Sequence, residues 1–307
     1  MKRILIILLL LIGGNSYSQQ LPQYTQYLFN LYAINPAFGG FKPNWNATFN
    51  QRYQWSGVTD APRTFTFTAE GPFKNLKMGM GGLVYVDMVG PTRRIGAQAS
   101  YAYHIKLHEK VKLSLGISIG FSQWVVDGDK VTIKDPNDPL LNSGRIATNN
   151  FDAKAGLVLY GDNWYFGFSA PQLFQNKMRF WQDSSKTLSV MEDHYFFNGA
   201  YAFRLHEDWQ LEPSFMLKLI IPAPIKLDVF ARVIWKEQLW FGIGYRMKHA
   251  WTAMLGYKIK DRISIGYSYD YDFNDLKRVS SGTHEIMLRV HFAKYKSSTE
   301  TNAKLDQ

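Results

Sequence analysis

The residues able to do chemistry are few and poorly spaced for it. The 307-residue chain holds seven histidines, 25 acidic residues and no cysteine. That excludes a thiolate nucleophile, a thiolate metal site and a disulfide framework. No two histidines have the spacing of a helical zinc pair, and neither a Gly-x-Ser-x-Gly elbow nor a phosphate-cradling glycine loop occurs. The best acid–base candidate is Glu192-Asp193-His194, where an acid adjoins an imidazole. It lacks a second carboxylate pair and a cleft, and a solvated loop end explains it as well. The best cation candidate is the set Asp127, Asp129, Asp135 and Asp138 around Pro136 and Pro139. Val131 and Thr132 stand where an EF-hand needs an oxygen ligand and a glycine, so a rigid, solvated loop is the plainer reading. The sequence assigns no catalytic residue, no metal and no cofactor.

The elements that would position any site repeat with a period of two. In Val111 to Phe121 the odd positions are Val, Leu, Leu, Ile, Ile and Phe, and the even ones are Lys112, Ser114, Gly116, Ser118 and Gly120. One face is apolar and the other small or polar, the signature of a strand between two unlike surroundings. Ile95 to Leu107 and Ile263 to Tyr271 alternate in the same way. Fourteen such segments are predicted: Trp45 to Trp55, Arg63 to Glu70, Met78 to Met88, Arg93 to Leu107, Lys110 to Val125, Asn150 to Tyr160, Trp164 to Ala170, Asp193 to Leu205, Trp209 to Leu219, Ile225 to Trp235, Leu239 to Met247, Trp251 to Lys260, Ile263 to Tyr271 and Thr283 to Phe292. Most are near the ~9 to 11 residues that a tilted transmembrane strand needs.

The connections sort by parity. After segments 4, 6, 8, 10 and 12 they are tight and polar: His108-Glu109, Gly161 to Asn163, His206 to Asp208, Lys236 to Gln238 and Asp261-Arg262. After segments 5, 7 and 13 they are long: Val126 to Asn149, Pro171 to Glu192 and Asp272 to Gly282. Short periplasmic turns and long outer loops give this alternation in an outer-membrane barrel, whereas a soluble sandwich has no reason for it. The polar face carries Lys112, Lys154, Arg204, Lys218, Lys226, Arg232, Arg246, Lys258 and Arg289 against Glu70, Asp87, Asp152, Glu212, Asp228 and Glu285, which suits a lumen lined by ion pairs. Trp45, Trp55, Trp164, Trp209, Trp235, Trp240 and Trp251 lie near segment ends, as interface girdles do. The expected fold is all-β, a single transmembrane antiparallel barrel of about fourteen strands.

Composition agrees. A hydrophobic content of 46%, an aromatic content of 16% and a mean hydropathy of -0.23 exclude a disordered chain, and the one long apolar run is N-terminal. Met1-Lys2-Arg3, nine apolar residues from Ile4 to Ile12, and small residues at Ser16 and Ser18 read as a secretory signal peptide cut after Ser18. Loss of Lys2 and Arg3 takes the formal charge from +10 to +8. The expected organisation is a signal peptide over 1–18, a periplasmic or lumenal segment over 19–44, the barrel over 45–292 and a polar periplasmic tail over 293–307. An exported chain has no call on nucleic acid; its basic residues face the lumen, the turns or lipopolysaccharide phosphates.

Several blocks carry a family resemblance. Gln23-Tyr24-Thr25-Gln26-Tyr27-Leu28-Phe29-Asn30 with Asn35-Pro36-Ala37-Phe38-Gly39-Gly40 resembles the N-terminal signature of the PorP/SprF outer-membrane proteins of type IX secretion and gliding motility in Bacteroidetes. Arg52-Tyr53-Gln54-Trp55-Ser56-Gly57 with Ala61-Pro62-Arg63-Thr64, Gly256-Tyr257, Ser264 to Asp270 and Ser281 to Ile286 are similar to it too. One departure is Asp60, where the pattern leads one to expect glycine. The resemblance implies a non-enzymatic component that supports secretion or surface attachment of a cell-surface adhesin through the adhesin's C-terminal signal domain. It also implies a periplasmic contact with a lipoprotein ring or a peptidoglycan-binding adaptor. The competing expectation is a passive channel for small solutes.

The residues suggest where such roles would sit. Tyr24, Gln26, Tyr27, Phe29, Asn30, Asn35 and Pro36 precede the first strand, and Asn35-Pro36 breaks regular structure. This segment either plugs the lumen, which a fourteen-strand barrel would otherwise leave open, or lies across the periplasmic mouth. Arg52, Gln54, Trp55, Gly57 and Pro62 fall at the outer end of the first strand and in its turn. They either form a docking edge or pair Arg52 with a lumenal carboxylate and seat Trp55 in the girdle.

Overall fold

A computed structural model describes residues 23–73, 76–130, 144–174, 177–178, 189–190, 193–221, 223–260 and 262–294. Its strands are β1 (Asn44–Tyr53), β2 (Arg63–Pro72), β3 (Met78–Val89), β4 (Thr92–His108), β5 (Val111–Asp127), β6 (Arg145–Tyr160), β7 (Trp164–Ala170), β8 (Lys177–Met178), β9 (Ser189–Val190), β10 (Asp193–Tyr201), β11 (Phe203–Arg204), β12 (Trp209–Ile221), β13 (Ala223–Trp235), β14 (Leu239–Arg246), β15 (Ala250–Ile259), β16 (Ile263–Asp272) and β17 (Thr283–Lys294). Each wall strand pairs antiparallel with its neighbours in sequence. β1 pairs with β17, from Asn44 opposite Lys294 to Tyr53 opposite His284, and closes the ring. The short β11 continues β10 past Ala202 along β12, and β8 pairs with β9 outside the wall. The wall is thus a closed barrel of fourteen strands with one extra short strand, and closure leaves no unpaired edge in the membrane.

The period of two becomes an inside and an outside. In β14, Leu239, Phe241, Ile243 and Tyr245 are exposed on the outer face, where lipid meets them, while Trp240, Gly242, Gly244 and Arg246 are buried inward. Among the described residues no helix is long and apolar enough to cross a membrane. The apolar core lies inside the ring, where Tyr32, Phe38, Leu83 and Tyr85 form one cluster and Tyr27, Ile34, Met216 and Phe230 another. Both clusters join wall residues to the N-terminal segment.

Several sequence expectations need correction. Trp240 is not in a girdle: it is 4% exposed and packs inside the barrel on Phe29, with ring centroids 4.7 Å apart. Its even position puts it in the lumenal series with Arg246, and parity outranks nearness to a strand end. Trp55 lies beyond β1, which stops at Tyr53. β5 runs on to Asp127 and β6 starts at Arg145, so this outer hairpin continues into the expected loop. The residues there, Val125-Val126-Asp127 and Arg145-Ile146-Ala147-Thr148-Asn149, do not alternate strictly between apolar and polar, so they carry no period of two to read. β17 extends to Lys294, two places past the expected end, because Lys294 still has Asn44 to pair with. The expected signal peptide, the expected periplasmic tail beyond Lys294, Asp135, Asp138 and Glu192 lie outside the described residues.

Asp60 has a φ of 55° in the turn between β1 and β2. This left-handed region favours glycine and tolerates aspartate, which gives a backbone reason for a glycine to be expected there. The same turn is tied to the β16–β17 loop by Ser56 N donating to Gly282 O at 2.8 Å and Ser281 N to Ser56 O at 2.7 Å.

Candidate functional site

The N-terminal segment folds inside the barrel. Tyr27–Phe29 and Pro36–Phe38 are 3-10 turns, and Leu31–Ile34 is one turn of α-helix. A strand here would need ladder partners, and the wall has none to spare. Tight turns instead satisfy the backbone locally, as where Asn30 N donates to Tyr27 O at 2.9 Å and Asn35 N to Leu31 O at 3.0 Å. Asn35 starts the second 3-10 turn, its side chain accepting from Ala37 N at 2.9 Å while Pro36 presets φ.

Three tiers of contacts hold the segment. The outer tier gathers the outer ends of β1, β14, β16 and β17 around Thr25. Arg52 pairs with Asp270 at 2.7 Å and with Glu285 at 3.1 Å, and Arg246 lies 3.5 Å from Asp270. Thr25 Oγ1 donates to the Asp270 carboxylate at 2.9 Å and accepts from Arg246 at 2.8 Å. The Thr25 and Gln26 amides donate to Glu285 at 2.7 and 3.1 Å. Arg52, Arg246, Asp270 and Glu285 are all at most 2% exposed, so two cations and two anions neutralise one another out of water. Hydrogen bonds to charged groups contribute about 1.5–3 kcal/mol each, so this is the tightest point of the segment.

In the middle tier, Asn30 Nδ2 donates to Asn50 Oδ1 at 2.9 Å, Tyr24 and Thr66 hydroxyls meet at 2.7 Å, and those of Tyr32 and Ser100 at 2.6 Å. Arg289 donates to Phe29 O at 2.6 Å, and the Arg232 guanidinium lies 4.3 Å from the centre of the Phe29 ring. Burial pushes the Tyr24 and Tyr27 hydroxyls well above the usual phenol range and that of Tyr32 up to about 12, so these groups stay protonated and neutral.

The inner tier holds the second turn. Asn35 Nδ2 donates to Leu157 O and Phe168 O at 3.2 and 3.0 Å, Ser114 to Ala37 O at 2.7 Å, and Lys154 to Ala33 O at 3.0 Å. The wall makes room with glycine: a Cβ on Gly79 would strike Gly39, one on Gly116 would strike Pro36 and Ala37, and one on Gly156 would strike Asn35. These three glycines are therefore the imprint of this segment, whereas Gly244 and Gly256 make room for the wall's own Phe230 and Trp240.

Tyr24, Gln26, Tyr27, Phe29, Asn30, Asn35 and Pro36 all lie in the lumen, and Arg52 meets them at Thr25. Gln54, Trp55, Gly57 and Pro62 stay in the outer turn, with Gln54 N donating to Pro62 O at 2.9 Å and Trp55 N to Thr283 Oγ1 at 3.2 Å. Arg246 and Asp270 were not singled out as partners of Arg52, although both stand on the polar parity of their strands. Arg94 was missed outright, yet it shares parity with Gly96 and Gln98. Asp193 and His194 are successive residues of β10, so their side chains point to opposite faces and form no dyad. Asp127 belongs to β5 and forms an exposed pair with Lys130 at 3.8 Å, and Asp129 is in the short turn that follows. No group of three or more metal-binding side chains occurs among the described residues.

The model of the family described as type IX secretion system membrane protein PorP/SprF matches residues 16–290. No curated protein matches in sequence. Among solved structures, the chain is similar to the TodX ΔS2S3 mutant monoaromatic hydrocarbon channel, with TM-score 0.50 and 10% identity over 87% of this chain and 94% of that one. It is also similar to a Pseudomonas aeruginosa FadL homologue, with TM-score 0.48 and 13% identity over 90% and 95%. Acinetobacter baumannii Omp33 gives TM-score 0.45 and 8% identity over 81% and 98%. At 10% identity the likeness to the TodX mutant speaks for the barrel fold alone.

Proposed function

Because the chain belongs to the type IX secretion system membrane protein PorP/SprF family, we propose that it is a docking platform that supports secretion or surface attachment of a cell-surface adhesin. It is an integral outer-membrane β-barrel. In the proposed role the strands hold the outer loops in fixed relation, and the adhesin's C-terminal signal domain docks on that outer surface. The periplasmic turns would meet a lipoprotein ring or a peptidoglycan-binding adaptor. None of this requires bond-making chemistry.

The observation that carries the reading is the filled lumen. A segment fixed to the wall through three tiers suits a rigid scaffold better than a solute path, because every tier would have to break for solute to pass. The test is deletion of the chain followed by proteomics of the cell surface and the medium, with detergent co-purification of the tagged protein. The platform reading expects one large adhesin to leave the surface and to copurify with the tagged chain. Unchanged surface proteins together with reduced uptake of a small solute would support a passive channel and overturn it.

A further inference from the structure

The lipid-facing side of β2 to β6 carries an apolar groove with a basic pocket at its outer end. The groove, of about 920 Å³, is lined by Phe67, Val84, Ala97, Ile119, Phe121 and Phe151. Register joins these side chains into one outward row: Phe67 is opposite Val84, Val84 opposite Ala97, Ala97 opposite Phe121 and Phe121 opposite Phe151. Two residues further out, Ile95 is opposite Gln123, whose Nε2 donates to Asn149 Oδ1 at 3.1 Å, so polar side chains begin there and mark the edge of the apolar band. The next outward row brings Arg63, Met88 and Arg93 together.

Arg93, Lys130 and Arg145 line a pocket at this edge with Met88 and Val125, and among the described residues Asp127 is the one carboxylate in its lining. Asp127 stands opposite Arg145 and lies 3.8 Å from Lys130, while the cross-strand neighbours of Arg93 are the apolar Met88 and Val125. Asp129, in the turn that follows, and Asp60, whose carbonyl accepts from Gly90 N at 3.0 Å, are exposed and stand outside that lining. Three cations against one carboxylate leave the pocket basic. Four residues at ~3.3 Å each separate Arg93 from Ala97 along β4, about 13 Å, so one molecule can reach both pocket and groove. We propose that this side of the wall binds an outer-leaflet lipid with a phosphorylated head, the lipid A class, its phosphate on Arg93 and Arg145 and an acyl chain in the groove. The groove lies in the membrane, which makes a lipid chain its occupant, and the basic pocket selects a lipid with an anionic head. The guanidinium fork suits phosphate. Lys130 and Arg145 end the described residues on either side of the β5–β6 connection, so the lipid would hold the base of that hairpin end. This goes beyond the platform role and rests only on the barrel's place in the outer membrane.

The test uses the full chain purified in detergent, titrated with bisphosphorylated lipid A and read by native mass spectrometry. The first lipid should bind at least tenfold more weakly to R93Q/R145Q, and at least threefold more weakly to A97L/A99L, which fills the groove. K248Q/R278Q removes the same charge from the turn after β14 and the loop after β16, on another part of the outer rim, and should leave the affinity unchanged. Heat-modifiable gel migration checks that each variant keeps its barrel, and R93Q alone, with at least threefold weaker binding, carries the test where the double variant does not fold. Undiminished binding to folded R93Q/R145Q, or an equal loss in K248Q/R278Q, would overturn the proposal. Displacement of the lipid by inorganic phosphate in excess would overturn it too, because the groove would then add nothing. A protein that copurifies with the wild type and is lost from A97L/A99L, with lipid A binding unchanged in every variant, would assign the groove to a membrane partner instead.

Discussion

Arg52 shows how a residue with two competing readings is resolved by its partners. Its side chain points into the lumen, where it meets Asp270, Glu285 and Thr25, rather than outward to a docking edge. Replacing it with methionine leaves two carboxylates facing Arg246 alone, and breaking a buried pair costs about 3–5 kcal/mol. R52M should therefore lower the temperature at which the barrel loses its compact gel migration, and R52K should lose less. His249 gives a pH effect on the outer side. It lies in the turn between β14 and β15, and its Nδ1 meets Asn274 Nδ2 at 3.0 Å across the outer loop. Burial, followed by the Arg246 and Lys226 charges, pushes its pKa down to about 4 from the usual 6.5. A lowered histidine pKa means that stability is fully present above 6.5 and is lost as pH falls toward 4. Proteolysis of the loop between β16 and β17 should accelerate over that window, and H249Q should remove the dependence. Arg52 could be singled out from sequence because it sits in a dense block of aromatic and polar residues. Arg94 could not, because what it meets in the lumen, the rings of Tyr85 and Trp124, is a fact about neighbouring strands.

The strands were the most legible elements, since a wall between lipid and a lined lumen imposes the same alternation on every one of them. Legibility fails where that boundary ends. The outer ends of β5 and β6 leave no period of two in the sequence, and the break at Ala202 between β10 and β11 leaves none either. The plug was legible only as an irregular aromatic stretch, because its turns are specified by the wall's shape. Gly116 and Gly156 carry that shape, and valine at both should displace Asn35 to Ala37. Overpacking of this kind costs about 1–3 kcal/mol per site. Hydrogen exchange of the Asn35 to Phe38 amides should accelerate in G116V/G156V while the amides of β5 and β6 stay protected. Equal acceleration in the strands would mean that the wall, not the plug, had given way.

The whole molecule reconciles a formal charge of +10 and a mean hydropathy of -0.23 with life in a membrane. Apolar side chains face outward, while much of the charge is folded inward into pairs, so average composition conceals both surfaces. The same inward arrangement fixes the N-terminal segment and separates an outer cavity from an inner one lined by Phe41, Trp164, Tyr165, Glu212 and Arg232. A closed barrel is the central claim, and single-channel recording in planar bilayers tests it most directly. The wild-type protein should show no large, steady conductance, whereas deletion of residues 23–40, with residues 1–22 kept, should open one. A steady wild-type conductance that falls with solute size, and that is unchanged when residues 23–40 are removed, would contradict the account.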